Sequence, residues 1–156
     1  MTIDELPVPA FKMTGIGEAI ELTIDEVFDF PQRTSWRGGY DAKGTLKIRA
    51  GGLSAHGALW VSTGELYRFF VELQKCYDSV GGIARFASTE KEFEMSCEFN
   101  RLGHVDIRGR YQECSYIDNT LIFQIKTDQT QVRESLRQLK SIYRLFGDEK
   151  GIKPAE

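Results

Sequence analysis

The sequence has little of what usually carries chemistry. It holds two histidines and three cysteines in 156 residues. His56 and His104 stand far apart, and neither has a partner at metal-ligand or catalytic-triad spacing. Each is read as a surface or packing residue. Cys76, Cys97 and Cys114 are odd in number and widely spaced. That excludes a disulfide framework or zinc site and leaves three reduced thiols in or near a core. No apolar run approaches the 18 or so residues of a membrane span. The N-terminus has no basic start followed by an apolar stretch, so no signal peptide is expected and the location implied is cytoplasmic. Twenty basic and 23 acidic side chains give a net charge of −3, which argues against a general phosphate-backbone binder. No nucleic-acid or membrane partner is therefore expected. Gly15-Ile16-Gly17 precedes no strand–helix unit, and Gly51-Gly52 reads as a hairpin, so neither is a phosphate loop. No serine lies in a strand-to-helix elbow. No catalytic constellation, metal site or cofactor is expected, and an enzyme is not the reading.

What is present is an ordinary globular composition. The chain is 41% apolar and 28% charged, and its length fits one domain. Residues 1–17 read as a loose N-terminal arm, 18–147 as a single α+β domain and 148–156 as a flexible C-terminal tail. Ile20, Leu22 and Ile24 alternate with Glu21, Thr23 and Asp25 at period two, as do Leu46 and Ile48 before the Gly51-Gly52 turn. A further alternating run covers residues 53–61. From Leu66 the period changes to three and four through Phe69, Phe70, Leu73, Tyr77 and Val80. Ser62 and Glu65 form a capping box at the start of this helix, and Gly81-Gly82 supplies its stop. Strands resume at Phe86, at residues 93–99, 105–111 and 121–125. A last helix runs from the Asp128 cap, with Gln131 completing the box, through Val132, Leu136, Leu139, Tyr143 and Phe146. The architecture expected is a curved antiparallel sheet with two helices packed on its apolar face, in two layers.

Three polar or aromatic groupings stand out. Glu92, Glu94 and Glu98 share a strand face, read as a solvated face opposed by Arg108 and Arg110 across the ladder. Glu21, Asp25 and Asp29 form a second acidic row, a candidate docking patch. Trp36, Arg37 and Tyr40 sit together in a polar, glycine-rich turn. Trp, Arg and Tyr are enriched at binding hot spots, so these three are candidate partner anchors; the alternative is a lid folded onto the core. Trp60 is out of phase with Leu59 and Val61, which places it on the otherwise polar face.

The order of several blocks resembles the WapI-type immunity protein family of bacterial polymorphic-toxin systems. The blocks are Gly51-Gly52-Leu53-Ser54, Ser62-Thr63-Gly64-Glu65-Leu66 with Phe69-Phe70, Tyr77–Gly82 with Ala84-Arg85-Phe86, Leu102-Gly103-His104-Val105, and Leu121-Ile122-Phe123 with Thr127-Asp128-Gln129-Thr130. They span about residues 40–146. The resemblance implies a non-enzymatic cytoplasmic protein that binds a cognate toxin domain, often a nuclease, and occludes its active site. Such a protein would be a monomer or weak homodimer and would need no cofactor. The alternative class is a small-molecule or protein-binding α+β module with a ligand in the hollow of the sheet. The matching blocks hold glycines and core positions, so no functional residue is carried over from the family.

Overall fold

A computed structural model describes residues 5–155. β1 (Val8–Gly15), β2 (Glu18–Val27), β3 (Asp41–Ala50) and β4 (Leu53–Ser62) form one antiparallel sheet in that order. α1 (Thr63–Ser79) follows. β5 (Gly82–Ala87), β6 (Phe93–Phe99), β7 (His104–Tyr111) and β8 (Leu121–Asp128) form a second antiparallel sheet, again in chain order, and α2 (Gln129–Phe146) comes last. The class is α+β, with antiparallel sheets and two helices. The strands divide between two open sheets because α1 carries the chain away from β4 before the meander resumes. α2 runs beside β1, α1 runs beside β5, and the two helices touch.

Residues 8–15, expected within a loose arm, are instead a paired strand. Ala10, Phe11 and Met13 are fully buried, and β1 pairs with β2 along its length. A register shift between Pro9 and Phe11 breaks the alternation there, which hides the strand from a period-two reading. Residues 1–4 of that expected arm, and Glu156 of the expected tail, lie outside the described residues. Residues 148–152 of the expected tail form a hydrogen-bonded turn. Asp148 N–H donates to Ile152 O at 2.9 Å, and Glu149 O accepts from Gly39 N–H at 2.7 Å.

The helix signals hold in part. Ser62 Oγ accepts from Glu65 N–H at 3.1 Å, and Glu65 Oε1 accepts from Ser62 N–H at 2.8 Å, completing the capping box. The left-handed residue that ends α1 is Val80 (φ 50°), one position before the expected glycines, and Gly82 (φ 91°) opens β5. At α2 the Asp128 carboxylate accepts from Thr130 and Gln131 N–H. The Gln131 side chain does not close a box, because its oxygen accepts from the Thr14 hydroxyl at 2.8 Å.

The core is aromatic where the layers meet. Phe11 of β1, Phe69 of α1 and Phe86 of β5 contact one another edge to face, with centroids 5.5–6.2 Å apart. Phe93 of β6 extends the cluster. Such pairs add to the burial term because ring edges meet ring faces. Cys76, Cys97 and Cys114 are free thiols, the first two buried. Burial, with Cys76 nearby, pushes the Cys97 thiol up to about 12. Burial, with Glu113 and Glu92 nearby, also raises the Tyr111 phenol.

A raised thiol or phenol pKa means the folded chain holds its proton more tightly than the unfolded chain. The stability this gives is complete below the unfolded pKa, about 8.5 for a thiol, and is lost as pH rises toward the folded value. The urea midpoint is therefore expected to fall steadily between about pH 9 and pH 11. Cys97→Ala should flatten part of that fall; an unchanged slope would remove the thiol from the account.

Candidate functional site

The turn between β2 and β3 is built by its own polar groups. Phe28 N–H donates to Asp41 O at 2.8 Å, bridging the base of the turn. Ser35 Oγ donates to Asp41 Oδ1 at 2.6 Å and accepts from Arg37 N–H at 3.1 Å. The far side is fastened to the start of α1. Thr63 N–H donates to Tyr40 O and Tyr40 N–H to Thr63 Oγ1, both at 2.8 Å, and Gly64 N–H donates to Gly38 O at 3.1 Å. A Cβ on Gly64 would sit 2.6 Å from Gly38 O, so a side chain there forces the turn away.

This turn presents Trp36 to solvent, 83% exposed. The Arg37 guanidinium carbon lies 5.7 Å from the Trp36 ring centroid. Its nitrogens reach Asp41 at 3.7 Å and Glu90 at 3.6 Å, and Arg37 O accepts from Arg68 at 3.0 Å. Arg37 is thus held and largely covered, with 15% of its side chain exposed, and serves as a fixed support for Trp36. Tyr40 is no surface anchor. It is 5% exposed, and its ring meets Phe30 edge to face at 4.9 Å. The turn puts it on the core side because β3 begins at the next residue.

Two further aromatics lie near Arg37. Trp60 of β4 stacks on Phe28, with centroids 5.7 Å apart and planes 25° from parallel. Lys43 Nζ stands 5.6 Å from the centroid of the Trp60 ring. Phe28, Arg37, Asp41 and Trp60 line a shallow hollow of about 320 Å³. The phase of Trp60 was legible in the sequence. That of Phe28 was not, because a bulge between Ile24 and Glu26 shifts the register of β2 by one residue.

The same bulge disperses the acidic row. Glu21 lies opposite Lys47 in the ladder, and Glu26 opposite Lys43. Asp25 falls in the bulge, where it accepts from the Thr45 hydroxyl at 2.7 Å. Asp29 lies beyond the strand in a left-handed conformation (φ 57°), 3.6 Å from Arg33. Glu21, Asp25 and Asp29 therefore form no single acidic face. The Glu92/Glu94/Glu98 row is also mixed. Glu94 reaches Arg110 at 3.9 Å, whereas Glu98 opposes Asp106, not Arg108. Burial raises the Asp106 carboxyl, but hydrogen bonds from Gln124 and Arg108 outweigh it and hold it below its ordinary value.

Two other places hold candidate groups for chemistry: the histidines and one broad cleft. Among the described residues neither imidazole hydrogen-bonds a carboxylate, and no three candidate metal ligands cluster. A cleft of about 770 Å³ opens between the β1–β2 turn and the ends of β6, β7 and β8. Glu98, Asn100, His104, Asp106, Lys126 and Asp128 share its lining with Ile16, Phe99 and Val105, so its polar and apolar parts are nearly balanced, whereas a small-molecule pocket is mostly apolar. The hollow, where the alternative reading put a ligand, is filled by the phenylalanine cluster. No helix among the described residues is long and apolar enough to cross a membrane.

A family model described as the immunity protein WapI-like family matches residues 12–147. The match extends well before residue 40, where the recognisable blocks begin. No curated protein matches the chain.

The placement of the turn separates two roles by mutation. Tyr40→Ala removes a buried ring and should cost about 3–5 kcal/mol of stability by urea denaturation. Trp36→Ala should change stability by less than about 0.5 kcal/mol, since its ring packs on solvent. Equal losses at both positions would place Trp36 in the core instead.

Proposed function

The chain belongs to the immunity protein WapI-like family, and from that membership we propose that it neutralises a bacterial toxin domain by binding it. The family match over most of the chain carries this reading. The surface formed by Trp36, Phe28 and Trp60 supports it and suggests where contact occurs. It has exposed rings, a buffered arginine and a shallow hollow, which are features of a binding hot spot. The action is steric: the immunity protein covers the toxin's active site and performs no chemistry. A nuclease is the favoured toxin class, met in the cytoplasm after delivery.

The charge pattern supports aromatic packing over phosphate mimicry as the binding mode. A phosphate-mimicking immunity surface would present uncompensated carboxylates. Here the β2 acids are opposed by Lys43 and Lys47, so aromatic packing is the main anchor and charge tunes approach.

The test pairs growth rescue with a binding measurement. The C-terminal domain of the large secreted protein encoded beside this gene is expressed with and without this chain. Rescue of growth and a one-to-one complex are expected. Trp36→Ala and Trp60→Ala should each weaken that complex by about 2 kcal/mol, roughly thirtyfold in Kd. Killing that proceeds despite soluble, folded chain would overturn immunity against that toxin.

A further inference from the structure

An open sheet leaves unpaired backbone groups along its edges, and proteins blunt them because they capture other strands. This fold has four such edges, and side chains cover a part of each. On β1 the Ser135 hydroxyl donates to Lys12 O at 2.7 Å and accepts from Lys12 N–H at 3.1 Å, while the Thr127 hydroxyl donates to Thr14 O at 2.6 Å. On β5 the Glu72 carboxylate accepts from Arg85 N–H at 3.1 Å. On β8 the Glu18 carboxylate accepts from Lys126 N–H at 3.3 Å.

β4 is covered in one part only. Ala58 N–H donates to Glu113 Oε2 at 2.8 Å, and Ala58 O accepts from the Tyr111 hydroxyl at 2.6 Å. Ser62 N–H goes to Glu65. These bonds fix the phase, because alternate residues of an edge strand turn their backbone groups outward. Ser54 and His56 share the phase of Ala58. Among the described residues their outward amides and carbonyls meet no side chain. A groove of about 490 Å³ runs beside them, between β4 and the segment after β7. Glu113 and Asp118 stand on its rim, with His56 its only basic side chain, and Leu53 is 60% exposed at its end.

We propose that Ser54–His56 of β4 captures an extended, basic segment of the toxin domain as an added strand. The inference rests on the immunity reading and deepens it. Main-chain hydrogen bonds to Ser54 and His56 give the affinity, and Glu113 and Asp118 select a Lys or Arg on the incoming strand. Trp60 lies further along the same strand, beyond the Glu113 and Tyr111 cover at Ala58.

The test uses the full chain and the neighbouring toxin domain. Amide hydrogen exchange at Ser54 and His56 should slow on complex formation. His56→Pro removes an outward N–H at an edge position where proline is tolerated. It should weaken binding at least about tenfold with an unchanged far-ultraviolet spectrum and thermal midpoint. Asp118→Lys should slow association about fivefold at low salt. If His56→Pro fails to fold, the exchange result on the wild-type complex decides. A toxin that binds wild type without slowing these amides, or binds His56→Pro equally well, overturns strand capture and leaves immunity standing. Slowed exchange with rising concentration of this chain alone, with a dimer in sedimentation, assigns the edge to a second copy and also overturns it. A toxin domain that binds neither form overturns both readings.

Discussion

The clamp between residues 38–40 and residues 62–64 ties the fold to its candidate surface. Three backbone-directed hydrogen bonds cross it, and both sides are close enough that neither Gly39 nor Gly64 has room for a Cβ. One side is the N-terminus of α1, already fixed by the buried Ser62–Glu65 box. The other side is the turn that carries Trp36 and Arg37. The second oxygen of Glu65 accepts from the Thr89 hydroxyl, so the same buried carboxylate also holds the segment before β6. Helix start, turn and second sheet therefore share one rigid junction. A partner touching Trp36 meets a side chain whose backbone is pinned, which lowers the ordering entropy of binding.

The clamp also explains physically why the sequence blocks that suggest the family report fold rather than contact. Gly64 lies in one block because Gly38 packs against it. Gly103 lies in another, at φ 82°, where its N–H donates to Asn100 O and its carbonyl accepts from Gln129 N–H to join the β6–β7 turn to α2. Gly109 leaves room for the Phe123 ring, which would lie 2.7 Å from a Cβ there. These are steric requirements of the backbone, and any partner surface is free to vary around them.

Most of the strands, both helices and the α+β class were legible because alternation and capping are local signals. The strand and the surface groupings that were misread share one cause. A bulge adds a residue to one strand only, and no local pattern announces it. The bulge near Pro9 concealed β1. The bulge at Asp25 made Glu21, Asp25 and Asp29 look like a face and hid Phe28 as the partner of Trp60. The helix stop was missed by one residue for a different reason. Val80 adopts the left-handed conformation, which turns the next amide, Gly81 N–H, back onto Cys76 O at 3.2 Å, although a β-branched residue disfavours it. The division into two sheets was beyond the sequence, since period two reports pairing but not which strands pair.

Trp60 of the aromatic surface and the open stretch of β4 belong to one strand. Trp60 and Ser54 both lie on β4, with the Glu113 and Tyr111 bonds to Ala58 between them. Buried apolar contact and main-chain pairing contribute differently to recognition. Rings around a shallow hollow provide affinity through desolvation with little sequence demand on the partner. An edge strand demands an extended segment in register, and its acidic rim demands a basic side chain at one position. Under the proposed reading the two act together, one giving strength and the other selectivity. They do so without a net acidic face, which the mixed ladder of β2 and β3 does not provide.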